Sequence, residues 1–386
     1  MQTQSFKWRK IARAIAIVFF TGILFTACKK NQDLSQQQPL DNDLTGQKAA
    51  TSAMALEQLV PANANKEATA LGFTETSETD FEKGPKKNIV EIAIANPHFS
   101  SLVAAVVKTG LATALSNEDA KLTVFAPTND AFAQLPAPFN NAANIAGITS
   151  VANIAFLKSV LLYHVLGTKV KANQIADGRS SLTTIKPAGT ANDNTIYFSK
   201  TFGFIKVNGS SDVIFANIKA SNGVIHVINK VLIFPTKTVA GIAVADTSNF
   251  SILVAALAKA SLVSVFTGSG DFTVFAPTNT AFAQLPAPFN SKANINSITN
   301  PTQIAALANI LKYHVISSRY FAWDFGIFKR VTTLAAAPNN KITTILGYNS
   351  GFVKGDANNT YSKITPADLL ATNGVIQVID KVLLPQ

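Results

Sequence analysis

Thiols, imidazoles and charge are all scarce in this chain of 386 residues, which has one cysteine, four histidines and 14% charged side chains. A single cysteine excludes a disulfide framework and any zinc or iron–sulfur site built from several thiolates. No pair of His, Asp or Glu has a helical metal-ligand spacing such as HExxH, and there is no GxSxG elbow or phosphate-cradling glycine loop. The reading is therefore non-catalytic, with no cofactor and no metal. Beyond the N-terminus no apolar run reaches the roughly 18–20 residues of a membrane span. What is plentiful is apolar surface: 47% of residues are hydrophobic, far above a disordered chain, and the length suits two or three compact domains.

The net charge of +11 suggests nucleic acid until it is placed along the chain. Lys7, Arg9, Lys10 and Arg13 fall within residues 1–27, which hold no acid, and the remaining excess is spread over two similar halves. No dense Lys/Arg stripe interleaved with aromatics appears, so nucleic acid is not an expected partner.

Lys7-Trp8-Arg9-Lys10 followed by the apolar run Ile11 to Phe25 has the basic and apolar regions of a secretory signal peptide. The run ends at Leu24-Phe25-Thr26-Ala27-Cys28, which resembles a bacterial lipobox, with Phe25 in the place usually held by Leu. The resemblance implies cleavage after residue 27 and acylation of Cys28. Acyl chains there would anchor the protein to a membrane, placing it in the bacterial cell envelope, with the outer membrane as the expected site. Residues 28–87 are rich in Gln, Asn, Ser, Thr and Ala, and read as a lipidated flexible tether. Met54, Leu56, Leu59 and Val60 could support a transient helix within it. A coil of about 60 residues spans roughly 40–45 Å.

An internal repeat decides the architecture. Thr123 to Asn140 and Thr273 to Asn290 read TVFAPTN(D/T)AFAQLPAPFN, differing only at Asp130/Thr280. Tyr163-His164-Val165 recurs as Tyr313-His314-Val315, and Asn222 to Ile228 recurs as Asn373 to Ile379. The period is too long for a solenoid, so residues 88–235 and 236–386 are expected to be two whole domains in tandem. Within each, Leu122 to Ala126 has the branched and aromatic content of a strand, and Thr128 or Asn129 is placed to cap a short helix. Ile154, Leu157, Leu161 and His164 share one helical stripe, as do Ile304, Leu307, Leu311 and His314. Helices followed by short strands argue for an α+β class.

In that order and spacing, the three motifs resemble the conserved boxes and central Tyr-His of the fasciclin domain. The resemblance implies two tandem domains, each a wedge-shaped β-sandwich with helices packed on one side. It also implies a cell-surface adhesion or matrix-binding role, the partner being a surface or matrix protein or a glycan. By the same resemblance, Tyr163, His164, Tyr313 and His314 are candidate binding residues, although the helical stripes turn both histidines inward and favour a structural role. His98 aligns with Asn249 and His226 with Gln377, which assigns neither to a site common to both copies.

The clearest asymmetry follows the Tyr-His pair. Lys171 and Asn173 of the first copy become Phe321 and Trp323 in the second, whereas Val170 and Ile175 stay apolar as Tyr320 and Phe325. Phe321 and Trp323 are candidates either for stacking on a ligand such as a glycan or for burial at a contact between domains or chains. Local repacking that tucks them into the domain is the third reading. Two functions follow: an adhesive module, or a glycan or small-ligand receptor centred on the second domain. The oligomeric state is not encoded in any pattern found.

Overall fold

A computed structural model describes residues 87–268, 270–326, 328–346 and 351–386. All belong to the second of two units into which the chain divides, residues 48–386. The expected signal peptide, the Cys28 lipidation site and the tether up to residue 86 lie outside the described residues. Among the described residues no single helix is long and apolar enough to cross a membrane.

Each copy begins with helices. Ile89–Ala95 starts from Asn88, whose side chain accepts from Glu91 N–H while the Glu91 carboxylate accepts from Asn88 N–H. Ser100–Lys108 follows, and then the strand β1, Leu122–Pro127. Thr128 caps the short helix Asn129–Ala133 as its sequence suggests, and the long helix Val151–Tyr163 ends at the histidine. The strands β2 (Val165–Leu166), β3 (Gly178–Thr183), β4 (Thr195–Thr201), β5 (Phe204–Val207), β6 (Ser211–Ala220) and β7 (Gly223–Ile228) complete the first domain. Their order is β2-β1-β7-β6-β5-β4-β3, with β1 and β7 parallel and the other pairs antiparallel.

The parallel pair is buried on both faces because two cores meet there. Val124, Ala126, Ile225 and Val227 point into a core shared with the helices, while Phe125 and Ile228 point into a second core with Tyr163, Phe198 and Val207. Helices cover one side of the pair and the remaining strands fold over the other, which makes each domain α+β.

The second copy repeats this plan. Val239–Ala245 and Thr247–Lys259 are its opening helices, Pro301–Tyr313 its long helix, and β8 (Phe272–Pro277) runs parallel to β15 (Gly374–Ile379). β9 (Val315–Ile316) lies beside β8, and β10 (Lys329–Thr332), β11 (Lys341–Leu346) and β12 (Gly351–Gly355) form the antiparallel end. One element differs. The continuous ten-residue β6 is replaced by two short pieces, β13 (Ser362–Ile364) and β14 (Leu369–Ala371), with Pro366 between them. β6 is itself irregular there, with register shifts at Val213, Phe215 and Ile218, so proline occupies a stretch where the ladder is already broken.

The Asn-Gly pairs do more than turn the chain. Asn222 accepts from Ile89 N–H and donates to Leu115 and Asn117 carbonyls; Asn373 accepts from Val239 N–H and donates to Phe266 and Gly268 carbonyls. Alongside, Ser221 N–H bonds to Lys87 carbonyl and Thr372 N–H to Lys237 carbonyl. The chain entering each domain is thus pinned at the start of that domain's last strand.

Candidate functional site

Both Tyr-His pairs are internal. The histidines are 2% and 3% exposed at 164 and 314. Each sits one residue past its helix. His164 Nδ1 bonds to the Val160 carbonyl at 2.7 Å and Nε2 accepts from Leu232 N–H at 2.8 Å. His314 repeats this with the Ile310 carbonyl at 2.8 Å and Leu383 N–H at 2.8 Å. An Nε2 that accepts must be unprotonated, so the imidazole is neutral with its proton on Nδ1. Burial pushes both down to about 4, against the backbone carbonyl bond that works the other way. Tyr163 donates to the Thr195 carbonyl at 2.7 Å and accepts from Asn208 at 3.0 Å; Tyr313 donates to the Lys341 carbonyl and accepts from Asp356 N–H at 3.0 Å. Tyrosine and histidine therefore tie the long helix to the strands on one side and to the closing segment on the other.

His226 and Gln377 occupy one shared post, contrary to their assignment from the alignment. His226 Nδ1 accepts from Asn217 N–H and Nε2 bonds to the Val170 carbonyl. Gln377 accepts from Asp368 N–H and donates to the Tyr320 carbonyl. Imidazole and carboxamide offer a donor and an acceptor at similar reach, which is why two chemically different residues fill it.

The residues that depart from the repeat meet at the contact between the two domains. Phe321 is 2% exposed and its ring lies 6.1 Å from that of Tyr197 on β4. Trp323 is half-buried, with Lys206 Nζ of β5 5.2 Å above its ring. Of the readings open in the sequence, the contact between domains is the one the coordinates display. In the first copy, Lys171 and Asn173 are exposed.

Two arginines brace this joint. Arg179, at the start of β3, donates to the Arg319 carbonyl at 2.6 Å and lies 3.7 Å over the Tyr320 ring. Arg319, itself buried, bonds to Asp271 at 2.8 Å and to the Ala371 carbonyl at 3.0 Å, and its guanidinium lies 4.3 Å over Tyr197. Asn192 donates to the Thr372 carbonyl at 3.0 Å. The backbone of one domain also comes close to the other at Gly209, in a turn where Asn208 and Gly209 both have positive φ. A Cβ at 209 would stand 2.5 Å from the Phe321 ring and 2.6 Å from the Asp368 carboxylate, so only glycine allows this fit.

Two carboxyls are drawn into the joint. Burial pushes Asp368 up to about 6, with Asp324 adding to the rise and Gln377, Ala322 N–H and Lys206 opposing it. Burial also raises Asp324, against Ser199, Phe321 N–H, Arg179 and Lys329. Beside Asp368 a cleft of about 450 Å³ opens between the domains, with Asn208 and Ser210 on one wall, Leu369 and Leu370 on the other, and Ile233 and Lys237 of the linker across it. Among the described residues no group of three or more His, Cys, Asp or Glu could hold a metal ion.

The sequence pointed to Phe321 and Trp323 through repeat asymmetry. It gave no signal for Arg179, Tyr197, Gly209, Arg319, Asp324 or Asp368. The one available cue was the exchange of Asn217 for Asp368 at matched positive-φ turns.

A tandem of two such domains matches a described family: the fasciclin domain model covers residues 97–234 and 248–385. The chain belongs to the fasciclin family. It is 31% identical over 269 residues to transforming growth factor-beta-induced protein ig-h3 of Sus scrofa, covering 68% of this chain and 34% of that protein. Human periostin is 34% identical over 300 residues, covering 78% of this chain and 31% of that protein. A bacterial relative, protein sll1483 of Synechocystis, is 43% identical over 147 residues, covering 38% of this chain and 73% of that protein. The chain thus spans about a third of the two animal relatives. A FAS1 domain pair from the insect cell adhesion molecule fasciclin I aligns at TM-score 0.35 and 17% identity, covering 74% of this chain and 97% of that one.

Proposed function

We propose that this chain is a non-catalytic adhesion module, held to a bacterial envelope membrane through acylated Cys28, that grips a surface or matrix partner with its paired fasciclin domains. The observation that carries the reading is the joint itself. Arg179, Arg319, Tyr197 and Phe321 hold two fasciclin domains as one body, and a fixed pair presents a broader preorganised surface than two loose beads. The Tyr and His side chains support it from the other direction, because their polar atoms are occupied by internal bonds.

A second reading, a receptor for a glycan or other small ligand, is favoured by the cleft beside Asp368, whose volume falls in the range of ligand pockets and whose place between domains is typical of them. The test sets both side by side: capture of envelope and matrix proteins on the immobilised full chain, and binding to a glycan array. Adhesion predicts a protein partner whose capture weakens when Phe321 and Trp323 are replaced by Lys and Asn. Saturable glycan binding abolished by Leu370→Lys, with no protein captured, would establish the receptor instead. For the anchor, Cys28→Ser should release the protein from the membrane fraction or leave it unprocessed; processed, membrane-bound mutant would refute lipidation.

A further inference from the structure

The two copies differ in one cavity. In the first domain an apolar slot of about 80 Å³ opens between the helices Ile89–Ala95 and Ser100–Lys108, above Val124 and His164. The same place in the second domain retains only about 20 Å³. Two larger side chains fill it: Leu115 of the first copy aligns with Phe266 of the second, whose phenyl ring is buried in the second domain's helical core, and Val106 aligns with Leu257. The rim differs too. Ile94 and Val107 flank the first slot at 62% and 66% exposure, and Val107 aligns with Ala258. Single exposed apolar residues are ordinary, but two beside an unfilled apolar slot form a socket.

We propose that this socket receives the chain's own preceding segment, with one apolar side chain of the cluster Met54, Leu56, Leu59 and Val60 entering the slot and the others resting against Ile94 and Val107 at its rim. Three observations select that occupant. The slot has room for about one aliphatic side chain, against the roughly 150 Å³ that admits benzene. Residues 54–60 are the densest apolar cluster between Cys28 and Lys87, with Leu56, Leu59 and Val60 at the i, i+3, i+4 spacing of a helix-face anchor. The chain also enters the domain at Lys87, pinned to Ser221, directly before the helix that forms one wall. The intervening 27 or so residues span roughly 30 Å as a coil, which covers the distance across a domain. Linkage of this length gives an effective concentration on the order of millimolar, so a contact too weak to hold in trans is populated in cis.

The experiment uses the full chain and the glutamyl endopeptidase that cleaves after Glu57, inside the cluster. Wild type should be cut slowly at Glu57. Leu115→Phe, which installs one of the second domain's own fillers, should raise the rate at least about fivefold, and so should Leu56→Asp with Leu59→Asp, which leaves the folded domains untouched. Their melting temperature, followed for the double variant, confirms an intact socket. Equal cleavage rates in all three proteins overturn the proposal. So does protection that Leu115→Phe leaves in place, or protection that fades on dilution, which would assign the socket to a second copy. Cleavage at Glu57 that becomes slow only when detergent-free vesicles are present would assign it to lipid and equally overturn it.

Discussion

The first and second domains agree where they face inward and part where they face each other. Tyr163 and Tyr313, His164 and His314, Asn222 and Asn373 make matching bonds, and even His226 and Gln377 converge on one task. Residues 169–174 and their counterparts 319–324 have no such constraint. In the first copy Lys169, Lys171, Asn173 and Gln174 are polar and exposed; the second carries Arg319, Phe321, Trp323 and Asp324 into the joint. The comparison teaches that identity between repeats marks what each domain needs to fold, while departure from identity marks what the pair needs to act as one.

The largest expected effect tests the equivalence. His164→Ala removes the acceptor for Leu232 N–H and leaves a cavity, costing the first domain about 2–3 kcal/mol. His314→Ala should cost the second domain the same. Urea unfolding of each variant checks this, and clearly unequal losses would break the equivalence.

Next, Phe321→Lys with Trp323→Asn installs the residues that the first domain carries at those positions. Calorimetry should show one cooperative transition resolving into two, with a coupling loss of about 2 kcal/mol. If the second domain alone is destabilised and coupling persists, the two aromatics serve its core and the joint rests on the arginines. Gly209→Ala acts from the other side, adding strain at positive φ and a Cβ against Phe321. It should weaken coupling by about 1–2 kcal/mol, beyond the roughly 1 kcal/mol that strain at positive φ takes from the first domain itself, with the second domain's own melting unchanged.

The smallest effect separates the domains from their joint by pH. Asp368 has a raised pKa of about 6, so the docked state binds more protons than the open state between about pH 4 and 6. Coupling should therefore strengthen by about 1 kcal/mol as pH falls from 7 to 5. Asp368→Asn, matching Asn217 of the first copy, should remove most of that dependence, with Asp324 supplying the rest. The buried histidines have the opposite sign. Their pKa values of about 4 mean that the unfolded chain binds more protons between about pH 4 and 6.5, so each domain loses stability on acidification. Coupling and domain stability measured across this range should diverge.

Most of the fold was legible because its signals are local. The TVFAPTN block holds a strand, a proline stop and the Thr128 cap within a few residues, and the stripe from Ile154 to His164 holds a helix face. The joint was only half legible. Phe321 and Trp323 stood out because duplication supplied an internal reference. Arg179 and the carbonyl it reaches are 140 residues apart, and Asn192 and its partner 180, separations at which no spacing rule operates. Asp324 and Asp368 read as ordinary surface acids, since Ser199, Lys206 and Gly209 of the other domain, which lie against them, are more than 100 residues away in sequence.

The pinning of each domain's entry to the start of its last strand sets how the molecule bears tension. Pull on the N-terminal side arrives at Lys87 beside Ser221, at one end of β7, and leaves past Ile228 at the other end; Lys237 beside Thr372 and the stretch past Ile379 repeat this on β15. The loaded strand is the one paired on both sides, to β1 in parallel and to β6 antiparallel. Force along its axis shears six rungs of the parallel ladder together, where force across a strand end would open them one at a time. A domain loaded this way yields at its full unfolding barrier, and the pair transmits a steady pull from one end to the other without paying out chain.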